Sequence, residues 1–150
     1  MKVTGNFIIS DTINKNGRMY SEETFKDIKK QFKKKQPMFG ELGFPDSPTT
    51  SLKNASHKIN SLSIKKERVP RKKKKQMKKI GAWKGFKKIL FGEIELLDTP
   101  NGKLAQQLMK GLVCRPRAIG SVNAQGVVEN YEIISFDLIN KADDAFEGDL

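Results

Sequence analysis

The sequence predicts an α+β fold with a mixed or mostly β core and short helices at its periphery. Segments that alternate apolar and polar residues, as strands do, outnumber segments with helical periodicity. The two helical segments are short and lie far apart in the chain, which favours helices that pack on the outside of a β core. A length of 150 residues fits a single domain spanning residues 1–150.

The first half of the chain begins with a strand and a helix. The strand is predicted in KVTGNFIIS, and NKNGRMY supplies the turn after it. Ser21 is placed to cap a helix that has glutamates in its first turn and lysines in its last turn. The apolar face of this helix holds Phe25, Ile28 and Phe32, and Pro37 ends it.

The second half is richer in strands. A loop rich in Pro and Ser, residues 43–54, precedes a strand predicted in SHKINSLSI. Another strand follows in ILFGEIELL, then a turn in DTPNG and a short helix carrying Leu104 and Leu108. AIGSVNAQGVVENYEIISFDLI predicts a hairpin that turns at residues 124–126, and residues 143–150 form an acidic tail.

The net charge of +12 is concentrated in residues 65–88. This segment holds 13 of the 29 Lys and Arg residues and only one of the 17 Asp and Glu residues, so the rest of the chain is neutral. We expect a self-repelling, protruding arm that orders on an anionic partner. Met77, Ile80, Trp83 and Phe86 recur every three residues, which predicts an amphipathic turn within it.

Several kinds of site are disfavoured by composition. Cys114 is the only cysteine, which excludes an internal disulfide framework and a zinc site of several cysteines. The carboxylates of Glu41, Asp46 and Asp137 have no spacing that requires a metal, and neither a metal nor a cofactor is expected. No apolar run approaches the roughly 20 residues that span a bilayer, so we expect a soluble cytoplasmic protein or part of a particle assembled there.

Six segments resemble the prohead core protein proteases of tailed bacteriophages in order and approximate spacing. They are NKNGRMY, FGELGFPDSP, SHKI, GEIELLDTPNGKLAQQLMKG, RAIGSV and ISFDLI. The resemblance implies a serine endopeptidase with a fold similar to that of the herpesvirus assemblins, in which helices surround a mostly antiparallel, barrel-like β core. It also implies a place inside the immature capsid, where such enzymes cleave scaffold and capsid proteins. The basic segment lies where this family has a short link between two strands.

Both catalytic positions of the family differ in this sequence. The family's first motif resembles Gly-Glu-Leu-Asn-His-Pro, with the histidine as general base, and Phe44 stands at that place. The second resembles Gly-Val-Ser-Ser-Arg-Gly-Leu-Gly-Ser, with the first serine as nucleophile. Alignment through Arg117, Gly120 and Ser121 puts Arg115 there. Phenylalanine accepts no proton, and arginine stays protonated with a pKa above about 12. We therefore expect a catalytically inactive homologue.

Two other residues are candidates for a relocated catalytic pair. Cys114 is next to the nucleophile position and His57 is the only histidine, so a Cys-His protease is an alternative hypothesis. A lone cysteine more often packs as a small core residue. His57 belongs to the SHKI segment, where the family also carries a histidine, which favours a structural role. Ser121 fits a strand that enters a hairpin, so no catalytic residue is assigned.

The resulting hypothesis is a structural or auxiliary component of a phage head, assembled in the host cytoplasm and present in the virion. Its partners would be capsid proteins, the major capsid protein foremost, and packaged DNA bound through residues 65–88. A regulator or inhibitor of the active protease is the main alternative. A host-directed nucleic-acid-binding protein is a further alternative. For residues 65–88 alone, a solvated loop and a membrane-surface contact are weaker alternatives, and no membrane partner is expected. The residues assigned to partner or DNA binding are Arg71, Lys72, Lys73, Lys74, Lys75, Lys78, Lys79, Trp83, Lys84, Phe86, Lys87 and Lys88.

Overall fold

The computed structural model describes residues 1–10, 17–43, 45–68 and 86–144. Within these ranges the chain forms antiparallel sheets and two short α-helices, which confirms the predicted α+β class. The elements are β1 (Lys2–Ile9), α1 (Glu22–Lys34), β2 (Met38–Glu41), β3 (Ala55–Arg68), β4 (Phe86–Leu96), α2 (Pro100–Leu108), β5 (Leu112–Val122) and β6 (Val128–Asn140).

The larger sheet has four strands in the order β1-β4-β3-β2. Its centre is the long hairpin of β3 and β4, and β1 and β2 form its edges. A bulge in β1 shifts the register between Asn6 and Ile8. Phe7, Ile8 and Ile9 are consequently all buried, whereas regular alternation would turn Ile8 away from the core.

The smaller sheet, β5 and β6, lies against β2 without completing a backbone ladder to it. One backbone bridge joins Leu42 to Leu138. The other hydrogen bonds where β2 meets β6, a boundary that we call the seam, involve side chains. The predicted barrel is therefore not closed within the described ranges. The seam bonds are Ser135 Oγ to Phe39 O (2.6 Å), His57 Nε2 to Phe136 O (2.7 Å) and Glu41 N to Asp137 Oδ1 (2.9 Å).

Gly40 lets β2 approach β6 closely. A Cβ at this position would lie 2.1 Å from Phe136 O and 2.2 Å from His57 Nε2. Real Cβ atoms do not come this close to other heavy atoms, and the nearer one belongs to the backbone. The glycine of the FGEL segment is thus needed to seat the His57 ring between the two strands.

One hydrophobic core fills the space between the two sheets and α1. The rings of Phe7 and Phe136 meet there with centroids 4.9 Å apart. The predicted apolar face of α1 is buried as expected. The predicted cap is also confirmed, because Ser21 Oγ accepts a hydrogen bond from Thr24 N.

The two leucines of α2 do not face the core. Leu104 and Leu108 are 43% and 47% exposed, while Gly102 and Ala105 are buried. A Cβ at Gly102 would lie 2.0 Å from Leu97 O, so α2 packs closely against neighbouring backbone through its small residues. This close approach orients α2 so that the side chains of Leu104 and Leu108 extend towards solvent.

The basic segment begins and ends inside the central hairpin. Residues 65–68 belong to β3 and residues 86–88 to β4, paired from Lys65 opposite Ile89 to Arg68 opposite Phe86. Phe86 therefore lies in a strand, where an amphipathic turn was predicted to end. The assigned binding residues from Arg71 to Lys84 lie outside the described residues. No helix in the described part of the chain is long and apolar enough to cross a membrane.

Candidate functional site

The two segments that resemble the catalytic motifs meet at Leu138 of β6. Gly43 N donates to Leu138 O over 2.7 Å, and Cys114 of β5 lies directly opposite Leu138 in the ladder. The chain thus brings the end of the FGELG segment next to the start of the second motif. Phe44 itself lies outside the described residues.

Arg115, at the position that the resemblance gives to the nucleophile, is buried in an ion pair with Asp144. Arg115 Nε lies 2.7 Å from Asp144 Oδ1, and Nη2 lies 2.8 Å from Oδ2. Arg115 Nη1 donates to Asn6 O (2.6 Å) and to Cys114 O (2.8 Å). Both partners of the pair are buried, so the guanidinium holds the start of the predicted acidic tail against the body of the protein.

A second buried arginine, Arg117, organises the loop after β2. Its Nε lies 2.7 Å from Asp137 Oδ2, and its Nη2 lies 3.3 Å from Glu41 Oε2. The guanidinium also bonds three groups of the loop, and the cluster therefore fixes the chain on both sides of Phe44. The loop acceptors are Ser47 O (3.1 Å), Thr49 O (2.8 Å) and Thr50 Oγ1 (3.0 Å).

The three carboxylates considered from sequence do not converge on one point. Glu41 and Asp137 both contact Arg117, whereas Asp46 is exposed. Burial raises the pKa of Asp137 to about 6, although the Glu41 N–H and the Arg117 guanidinium act to lower it. Among the described residues, no group of three or more His, Cys, Asp or Glu side chains is placed to hold a metal ion.

His57 makes hydrogen bonds through both ring nitrogens. Nε2 lies 2.7 Å from Phe136 O, and because a carbonyl oxygen only accepts, Nε2 carries the proton. Nδ1 therefore accepts from Ser56 Oγ, also at 2.7 Å. Sequence reasoning missed this serine–histidine contact, although the residues are adjacent. Both are 0% exposed, so no peptide reaches Ser56 Oγ in this arrangement.

Cys114 is not a partner of His57 in this structure. The ring nitrogens of His57 are bonded to Ser56 and Phe136, and burial raises the pKa of the Cys114 thiol, which favours its uncharged form. Cys114 instead lines, with Arg115, an apolar cavity of about 280 Å³ between β1 and the start of β5.

The burial of His57 predicts a low titration midpoint. Burial lowers its pKa to about 4, against the smaller opposing effect of the Phe136 carbonyl. Below pH 6.5 the unfolded chain binds a proton that the folded chain does not, so the contribution of His57 to stability is present above pH 6.5. It is lost as the pH falls towards 4.

Nuclear magnetic resonance measures this midpoint directly, because His57 is the only histidine in the chain. We expect the imidazole of the folded protein to titrate with a midpoint at about pH 4. In the urea-unfolded protein the midpoint should lie at about pH 6.5. A folded-state midpoint between about 6 and 7 would indicate a solvated ring and would contradict the buried arrangement.

Comparison with known proteins identifies a solved structure with a similar fold. No protein-family model and no curated protein matches the chain. Among solved structures, the capsid assembly protease gp21 of bacteriophage T4 is similar, with a TM-score of 0.68 and 20% sequence identity. The match covers 92% of this chain and 80% of the phage protein. The chain therefore has a fold like that of a phage prohead protease.

Proposed function

We propose that this protein is a catalytically inactive relative of the phage prohead proteases that serves as a structural or auxiliary component of a phage head. The main observation in support of this proposal is the buried, hydrogen-bonded environment of the Arg115 guanidinium. A buried guanidinium, engaged by Asp144 and two backbone carbonyls, stands where the family's motif has its nucleophile.

Both halves of the catalytic unit would be absent. A serine hydroxyl becomes an effective nucleophile only when a base within hydrogen-bond reach takes its proton. Arg115 offers neither group, since its side chain carries no hydroxyl and its guanidinium is a hydrogen-bond donor only. Phe44 has no atom that accepts a proton. His57 is the one other candidate base by residue type, and its acceptor nitrogen is bonded to Ser56 inside the core.

The retained framework supports a binding role. Arg117, Glu41 and Asp137 form a buried ion cluster that holds the loop following β2, although the residues at both catalytic positions have changed. A docking protein needs such a rigid body and its surface, and does not need a nucleophile. The lysine-rich arm, residues 65–88, would add contacts with neighbouring capsid subunits or with packaged DNA.

The composition of purified virions tests this role. An auxiliary head component is expected at tens to hundreds of copies per mature particle, counted by quantitative mass spectrometry against the major capsid protein. A regulator of the active protease, the alternative function, would be scarce or lost after maturation. Absence from mature particles would contradict the structural role.

A further inference from the structure

The outward face of α1 carries a row of lysines. Because α-helical residues follow one another at about 100°, five exposed lysines fall within an arc of about 140°. This arc lies away from the apolar face that packs on the core. We call these residues the α1 lysine row: Lys26, Lys29, Lys30, Lys33 and Lys34.

Gln31 of α1 and Lys35, the C-cap residue of the helix, fix the helix in place. Gln31 Nε2 donates to Tyr131 O over 2.7 Å, and Gln31 Oε1 accepts from Ile133 N over 2.8 Å. Lys35 Nζ donates to Ile133 O over 2.6 Å. The helix is thus attached to the outer edge of β6 by residues outside the row. The backbone positions of the five lysines are therefore fixed, and their side chains extend towards solvent.

The row adjoins the base of the basic segment. Lys88 Nζ, in β4, lies 3.2 Å from Glu22 Oε1 at the start of α1. Lys66 is opposite Lys88 in the antiparallel ladder, and directly opposed residues point to the same face of a sheet. The base of the hairpin and the N-terminal end of α1 therefore meet on one side of the protein.

We propose that the α1 lysine row binds the phosphate backbone of duplex DNA. The row from Lys26 to Lys34 extends about 12 Å along the helix axis. Duplex DNA carries one charge per about 1.7 Å of its axis, or about seven over that distance. The inference rests on the proposed function in taking DNA as a partner of residues 65–88.

The make-up of the row favours DNA over an acidic protein. Lysine is depleted in the cores of protein–protein interfaces, where aromatic residues are enriched. The row contains no aromatic or large aliphatic side chain on its exposed arc. Lysine acts on phosphate as a flexible point charge and carries no base recognition. The expected binding is therefore independent of DNA sequence and strongly dependent on salt.

Binding of a short fluorescent DNA duplex, measured by anisotropy over a range of salt concentrations, tests the proposal. The test protein carries Lys29→Gln, Lys30→Gln, Lys33→Gln and Lys34→Gln. A control with the same loss of charge carries Lys2→Gln, Lys53→Gln, Lys110→Gln and Lys141→Gln, all at exposed lysines outside α1. Thermal melting verifies that both variants remain folded.

We expect the row variant to bind at least about tenfold more weakly near physiological salt, with a log–log salt slope smaller by about 3. The control should change affinity by less than about threefold. Equal losses in the two variants, or an unchanged row variant, would overturn the proposal. So would a polyglutamate peptide that competes as well as DNA at equal charge, because the row would then serve an acidic protein.

These outcomes are distinct from those of the virion test. A protein abundant in virions whose row variant binds DNA like the wild type would refute only the lysine row. A protein that is absent from virions and loses DNA binding in the row variant would refute only the head role.

Discussion

Replacing Arg117 with methionine is expected to lower the free energy of unfolding by about 3 to 5 kcal/mol. The substitution removes the cation that faces the buried carboxylates of Asp137 and Glu41. It also removes the donor to three acceptors in the loop after β2. Removing one partner of a buried ion pair leaves an uncompensated charge, and that cost exceeds the net value of the intact pair. Urea unfolding of the purified variant measures the difference.

Low pH should partly rescue this variant. Burial already raises the pKa of Asp137 to about 6 in the intact protein, and loss of the guanidinium raises it further. A carboxyl whose folded pKa lies above its unfolded value stabilises the fold as the pH decreases through the folded pKa. The difference in stability between variant and wild type should therefore shrink between pH 7 and pH 5.

An exposed ion pair supplies the control for Arg117. Lys103 Nζ lies 3.3 Å from Asp98 Oδ1, and both side chains are largely exposed. Lys103→Met should cost less than about 1 kcal/mol, since solvent screens such pairs. If Arg117→Met cost no more than Lys103→Met, the buried cluster would not be holding the loop.

Local patterns predicted the elements well. The cap and apolar spacing of α1 follow from residues within one or two turns of each other, so they are visible in sequence. The turn of the last hairpin was also located correctly, because Gly126 adopts the positive φ that such turns require. Periodicity did not indicate the orientation of α2, which follows from a close backbone approach at Gly102 that leaves Leu104 and Leu108 exposed.

The contacts that define the candidate site are long-range, and no local pattern indicates them. Arg115 and Asp144 are 29 positions apart, and Arg117 and Asp137 are 20 apart. The seam between β2 and β6 is joined by side chains, and the space that they occupy exists only once the two sheets have packed together. The lysines at the end of α1 were interpreted as complements of the helix dipole. The structure adds that Gln31 and Lys35 bond to β6, whereas the five lysines of the row are exposed.

The second large effect concerns catalysis. In serine proteases with a working triad, loss of the nucleophile or of the base lowers kcat by roughly 10⁶-fold, and loss of both costs little more. With Phe44 and Arg115 at the two positions, peptide cleavage should be indistinguishable from that of a buffer blank. Cys114→Ala should leave this baseline unchanged, because the thiol is held in its uncharged form.

Incubation of the purified protein with phage scaffold and major capsid proteins tests the proposed absence of catalysis most directly. The active prohead protease of the phage that supplies these substrates serves as the positive control, and gel-resolved fragments are the readout. We expect fragments with the active protease and none with this protein or with its Cys114→Ala variant. Cleavage by the wild-type chain that Cys114→Ala abolishes would contradict the proposal and assign a working thiol protease to this fold.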